Sequence, residues 1–126
     1  MKRTRLNRMS AKKRKEIAET TPLRRAFREE IGRCMLCQMP SLYEGFGLEV
    51  HEMLGGTGNR PKAVYLRELW LLLCGICHKE VQGWKLAKQL ALKLREDPWW
   101  FDLDAVRKVY GGGELVNMED IRRHRT

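Results

Sequence analysis

The sequence predicts a small α+β domain closed by a cysteine staple, and three observations carry that expectation. The chain has 126 residues, enough for one core and too few for two. Its four cysteines fall as two C-x2-C pairs, Cys34/Cys37 and Cys74/Cys77, with 36 residues between the pairs. Between them Leu48-Glu49-Val50-His51-Glu52-Met53 alternates apolar and polar residues as a strand does, while the flanking segments carry helical spacing.

Taken in order, residues 1–9 show no apolar period and read as a basic arm. Ser10 can cap a short helix over Ala11–Glu19. Thr21-Pro22 predicts a restart, with Thr21 as N-cap, Pro22 in the first helical position and Gly32 just past the end. In that second helix Leu23, Phe27 and Ile31 make one narrow apolar stripe, with Arg24, Arg25 and Arg28 outside it. Residues 38–47, with Pro40, Gly45 and Gly47, read as a loop or a loose hairpin arm, and Gly55-Gly56-Thr57-Gly58-Asn59 as a turn. Leu66–Leu73 is too apolar to be exposed.

After the second cysteine pair a short helix runs from His78 through Val81, and Gly83 interrupts. Trp84–Glu96 carries the clearest helical pattern, with Ala87, Leu90, Ala91 and Leu94 on one face and Lys85, Lys88, Lys93 and Arg95 around it. Asp97-Pro98 ends it. Asp102 or a neighbour starts another short helix with Leu103, Val106 and Val109 or Tyr110, and Gly111-Gly112-Gly113 stops that one. Asn117–Arg123 can form a terminal turn of helix. The tryptophans sit beside helix ends and apolar runs and read as core. The organisation is thus an arm with helices over 1–33, a stapled core over 34–82 and a helical extension over 83–126.

Two thiolates at C-x2-C spacing can sit on one tight turn and point at one ion, and two such turns complete a tetrahedral site. The alternatives are two disulfides or four buried thiols. No apolar run follows the basic residues at the amino terminus, so a reducing compartment is expected, which disfavours disulfides. The reading is one structural Zn²⁺ on Cys34, Cys37, Cys74 and Cys77. The longest apolar stretch, Leu69–Cys77, is far short of a bilayer span, so no membrane partner is expected.

Charge is uneven. Residues 1–33 hold twelve Lys and Arg against four Glu, which is +8 of the chain's +9. A basic arm on a near-neutral body suits a polyanion, because Lys and Arg displace the counterions condensed on phosphates; a solvated tail is the plainer alternative. Lys12, Lys13, Arg14 and Lys15 are the densest cluster, and Arg60 and Arg67 flank the apolar segment as further phosphate contacts or ordinary surface arginines.

Of three histidines, His124 lies in a basic tail. His51 is on the predicted strand between the cysteine pairs, and His78 directly follows Cys77. A metal staple would pin strand and helix together, so the two imidazoles could face each other across a small cleft. With Glu49 and Glu52 alongside, they could hold a hard divalent ion beside a phosphate. Taken alone, such histidines equally suit packing or the surface.

These residues resemble a known family. C-x2-C, a strand ending in His51-Glu52, a Gly-rich turn and then Leu73-Cys74-x2-Cys77-His78 look like the HNH endonucleases with the ββα-metal fold. Ser10-Ala11-Lys12-Lys13-Arg14, Leu23-Arg24-Arg25-Ala26-Phe27, Trp70 before the second pair, and Gln89–Leu94 with Asp97-Pro98 are similar to small phage and prophage members. The resemblance spans roughly residues 10–120. It implies a ββα-metal core in which the four cysteines hold zinc and His51 and His78 cradle one Mg²⁺ or similar catalytic ion. It implies a base, Glu52 or His51, that activates water, DNA as the substrate, and a cytoplasmic site of action in a bacterial host.

The chain departs from the family pattern in three places. Glu52 stands where many members have a second His, Leu69 where the middle Asn is expected, and Gln82 where some have a further His. A carboxylate can serve as base, and Asn59 can supply an amide from the turn; alternatively His51 is the base, and His78 and a glutamate hold the ion. Two other function classes stand beside the nuclease. One is a catalytically decayed zinc-dependent DNA-binding module, favoured by the departures. The other is a zinc-stapled protein-interaction module using Trp84, Trp99 and Trp100.

Overall fold

A computed structural model describes residues 10–41, 47–53, 65–98, 101–109 and 118–124. Helix α1 spans Ala11–Ile31, strand β1 Leu48–Glu52 and strand β2 Trp70–Cys74. Helices α2 (Gly75–Val81), α3 (Leu86–Glu96), α4 (Leu103–Val109) and α5 (Met118–Arg123) follow. The result is a small α+β arrangement with a two-stranded antiparallel sheet and, among the described residues, five α-helices.

Helix α1 is one continuous helix, not the two expected. Ser10 caps it by accepting a hydrogen bond from the Lys13 N–H at 3.1 Å, and Gly32 closes it in the left-handed region at φ 64°. Pro22 sits inside it, at the expense of a single ladder bond. Flanking it, the Thr20 and Thr21 hydroxyls donate to the carbonyls of Glu16 and Ile17. Phe27 and Ile31 anchor its last two turns in the core, while Leu23, expected on the stripe, is half exposed. Burial of the carboxy-terminal end outweighs the local break signal.

The ribbon pairs Leu48 with Cys74, His51 with Leu71 and Glu52 with Trp70. All five residues of β2 are buried, so the run Trp70-Leu71-Leu72-Leu73 is covered on both faces. Phe27 of α1 meets Trp70 edge-on at 5.7 Å between ring centroids. A short 3-10 turn, Arg67–Leu69, leads into β2 with Leu69 buried. Helix α2 starts immediately after β2 and packs back on the ribbon. One apolar cluster runs from Phe27 through the ribbon to Leu90, Val106 and Ile121. The stretches 34–82 and 83–126 therefore share a core.

Helix α3 corrects a second expectation. Lys93, expected at its solvent face, is fully buried, with its ammonium donating to Asp97 at 2.7 Å and lying 4.7 Å from the Phe27 ring centre. The helical period puts Lys93 beside Leu90 and Leu94 on a surface that Phe27 of α1 and Asp97 meet. Asp97 ends the helix, and Asp102 caps α4 through the N–H groups of Asp104 and Ala105. The turn at 55–59, the triglycine, the arm at 1–9, Asn59, Arg60, Trp99 and Trp100 lie outside the described residues.

Candidate metal centre

The first cysteine pair sits on a tight turn. Its Gln38 N–H donates to the Cys34 carbonyl at 2.9 Å, the Cys34 N–H donates to Met39, and Gln38 takes φ 68° to close the loop. That turn is hung on the second strand, since the Met35 N–H donates to the Leu72 carbonyl at 2.8 Å. The second pair lies where β2 runs into α2, with Cys74 preceding the first helical residue and Cys77 one turn on. The strand-to-helix junction and the knuckle thus deliver four sulfurs to one point.

All four Sγ atoms lie within 4.8 Å of one another, and Cys37 and Cys74 are 3.9 Å apart. Sulfurs at about 2.3 Å from a tetrahedral zinc are about 3.8 Å from each other, so the cluster can hold one metal ion such as zinc. Charge favours one cysteine over its neighbours: burial and the other thiols push Cys77 well up, and Cys37 is raised too, the Met39 backbone contact being outweighed by burial and the Cys34 contact. Burial alone would raise the Cys34 thiol, but the backbone N–H groups of Cys37, Cys74 and Leu36 outweigh it and bring it down to about 7. A thiol deprotonated that readily is a ready metal ligand.

The knuckle is also clamped to α3. Gln38 donates to the Met35 carbonyl and to Glu96 of α3, and Arg33 donates to both Gln38 and Glu96. Sequence reasoning gave Gln38, Arg33 and Glu96 no role, because a link across 58 residues leaves no local pattern.

Beside the staple, the structure brings His51 and His78 together. Cys77 and His78 are consecutive on α2, so their side chains leave the helix about 100° apart, one toward the sulfurs and the other toward the strand. His51 projects from β1 and His78 from α2, and His51 Nδ1 is 3.2 Å from His78 Nε2. The other nitrogen of each ring is spoken for. His78 Nδ1 is 2.5 Å from a Glu49 carboxylate oxygen. His51 Nε2 is 2.8 Å from the Gln89 side-chain oxygen, and the Gln89 amide nitrogen donates to the Trp84 carbonyl at 3.0 Å.

These partners fix the tautomers. A carboxylate and an amide oxygen only accept, so His78 Nδ1 and His51 Nε2 carry the protons and donate. Where both rings are neutral, the two facing nitrogens present lone pairs at 3.2 Å, an arrangement that suits a cation or a shared proton between them. Two nitrogens bound at about 2.1 Å to one ion are about 3.0 Å apart at a right angle and about 3.4 Å at the tetrahedral angle. The observed separation lies between the two. Burial holds the His51 imidazole below its ordinary range, with the Gln89 contact opposing and the neighbouring His78 adding to the effect, which favours the neutral ring.

The pair opens onto solvent. A cleft of about 490 Å³ is bordered by His51, His78, Gln82 and Gln89, and a second of about 790 Å³ meets it at His78 and Gln82, with Glu49, Ile76 and Lys79 along its wall. Ile76, at the first turn of α2, is 83% exposed.

The remaining expected site residues are placed differently. Glu52 borders the smaller cleft, but its carboxylate is engaged by Arg24 of α1; strand alternation turns it away from the face that carries Glu49 and His51. Leu69, at the position where an amide was sought, is buried in the core. Arg67 pairs with Asp97 and Glu30 and lies 4.9 Å from the Phe27 ring centre. Lys12, Arg14 and Lys15 are exposed on the first turns of α1, Lys15 within 3.9 Å of Glu19, and half-buried Lys13 pairs with Glu16 at 3.2 Å. His124 is exposed near the end of the chain. Gln89 was missed because a single Gln on an amphipathic helix reads as a surface residue.

No family model, curated protein or solved structure matches this chain. Among the described residues no helix is long and apolar enough to cross a membrane.

Proposed function

We propose that this chain is a divalent-metal-dependent DNA endonuclease of the HNH type, with a structural zinc on Cys34, Cys37, Cys74 and Cys77. The observation that carries the reading is the facing pair of ring nitrogens, His51 Nδ1 and His78 Nε2, 3.2 Å apart at the mouth of a cleft. The succession of two antiparallel strands and a helix, with the cysteines at the junction, suits the resemblance in the sequence. The +8 charge of residues 1–33 suits a phosphate backbone as partner.

His51 and His78 would hold the ion, each oriented by its partner, Gln89 or Glu49, as metal-bound histidines are. When bound, a divalent ion supplies charge neutralisation at the scissile phosphate and acidifies water. The chain's own part is to fix both imidazoles, keep their lone pairs inward and leave one side of the pair open to a phosphate. Exposed Lys79 on the cleft wall and the basic first turns of α1 would steer the duplex. Glu52, held by Arg24, is left to stabilise the helix-to-ribbon contact. The decayed DNA-binding module is the second reading, favoured by Leu69, an apolar side chain packed in the core at the position where the family has an amide.

The test is nicking of supercoiled plasmid by zinc-loaded protein with Mg²⁺ or Mn²⁺. Cleavage by wild type and its loss in His78→Ala, with zinc content and DNA affinity kept, are expected. Wild-type protein that binds DNA but cuts neither duplex, branched nor single-stranded substrate establishes the binding module instead. If His78→Ala cuts as well as wild type, the histidine pair is not the site.

A further inference from the structure

Helix α3 lies beyond the ribbon and α2, yet it reaches the histidine pair with one side chain. Gln89 is 5% exposed, its amide oxygen is 2.8 Å from His51 Nε2, and its amide nitrogen is held by the Trp84 carbonyl. The second contact matters most. It fixes which end of the amide faces the ring, because an N–H donates to a carbonyl and an oxygen cannot. The oxygen is therefore left toward His51, and His51 Nε2 must donate. Resting on the metal-site reading above, we infer that Gln89 is a positioning residue for the ion: it locks His51 in the tautomer and ring orientation that turn Nδ1 toward His78. The helical extension is then part of the metal site and not only a cover for the core.

A packing role and a positioning role predict opposite orders for two substitutions. Gln89→Met keeps the length and apolar stem and removes the acceptor. Gln89→Glu keeps an acceptor for His51 and places a charge in a nearly closed site. If Gln89 only fills space, Met is tolerated and Glu is the damaging change. If it positions His51, Met is the damaging change and Glu retains most of the affinity, since a carboxylate accepts from a metal-bound histidine as well as an amide does.

The experiment titrates Mn²⁺ into zinc-loaded full-length wild type, Gln89→Met and Gln89→Glu, reading free Mn²⁺ by electron paramagnetic resonance beside thermal unfolding. Gln89→Met is expected to bind Mn²⁺ about 10–100-fold more weakly with its unfolding midpoint close to wild type, and Gln89→Glu to bind more tightly than Met. If the protein cleaves DNA, Gln89→Met is expected to lower kcat while KM for DNA stays put. Wild-type affinity in Gln89→Met, or weaker binding in Gln89→Glu than in Gln89→Met, overturns the inference. Should Gln89→Glu not fold, Met against wild type decides by the same readout. Wild-type protein that takes up no Mn²⁺ overturns the inference together with the metal site. Wild-type protein that binds Mn²⁺ but cuts no DNA refutes the nuclease alone and leaves Gln89 to be judged by the order of the variants.

Discussion

Asp97→Asn is the perturbation whose size the structure sets most directly. Asp97 is 5% exposed and accepts from the fully buried Lys93 at 2.7 Å and from Arg67 at 3.2 Å. Burial drives the Lys93 ammonium down to about 8, although Asp97 pulls the other way. Replacing the carboxylate by a neutral amide keeps the shape and leaves an uncompensated cation inside the core, a change that costs about 3–5 kcal/mol. For a domain this size about 4 °C of melting temperature goes with each kcal/mol, so a fall of about 12–20 °C is expected. Lys93→Met in the same chain removes the stranded charge and should restore most of the loss. The assay is thermal and urea unfolding of the four zinc-loaded proteins of that cycle. A fall below about 4 °C for Asp97→Asn, or a double variant as unstable as the single, refutes the reasoning.

The pair also has a pH signature with a definite sign. The folded-state value of Lys93 lies below its unfolded value of 10.5, so between about 8 and 10.5 the unfolded chain binds more protons and stability rises with pH. The difference in unfolding free energy between wild type and Lys93→Met should climb by about 3 kcal/mol over that window, and a flat difference counts against a buried Lys93. Chelation of the purified protein should remove about one zinc per chain and unfold it; a metal-free chain with unchanged circular dichroism refutes the staple. Deleting residues 1–15 removes eight positive charges and should flatten the dependence of log affinity for DNA on log salt, an unchanged slope excluding the arm from the interface. Glu52→Gln should cost about 1 kcal/mol of stability through the Arg24 pair and spare cleavage under the proposed nuclease reading, whereas complete loss of cleavage would make Glu52 the base after all.

What the sequence made legible was local or was written in metal-ligand spacing. The cysteine pairs, the alternation over Leu48–Met53, the Ser10 cap and the Asp97-Pro98 stop each depend on residues within a few positions. The sequence marked His51 and His78 only by their nearness to the cysteine pairs, whereas their facing comes from the β1–β2 ladder and from α2 starting directly after β2. The misreadings share one cause. Pro22 is a break signal only while the helix stands alone, and packing of Phe27 and Ile31 overrides it. Lys93 looked solvent-facing because a helical wheel shows one element at a time, while α1 and the Arg67 turn close over it. Gln89, Gln38 and Glu96 act across 38 residues or more, and no pattern within their own segments marks them out.

The antiparallel register has a consequence for the histidines. Sliding β1 past β2 by a single residue would exchange the faces of the ribbon, turning Glu52 toward His78 and sending His51 to Arg24. Five paired residues on each strand hold such a ribbon only weakly by themselves. Cys74, paired with Leu48 at one end of the ribbon, is fixed in place once its sulfur and the three others share an ion. An ion shared by the four cysteines would tie α2, and His78 with it, to the knuckle and to the end of β2, but β1 carries no cysteine. The place of His51 along β2 is set instead by the ladder and by the burial of Leu48 and His51 on β1. Loosening those contacts would part the two histidines even with the staple closed.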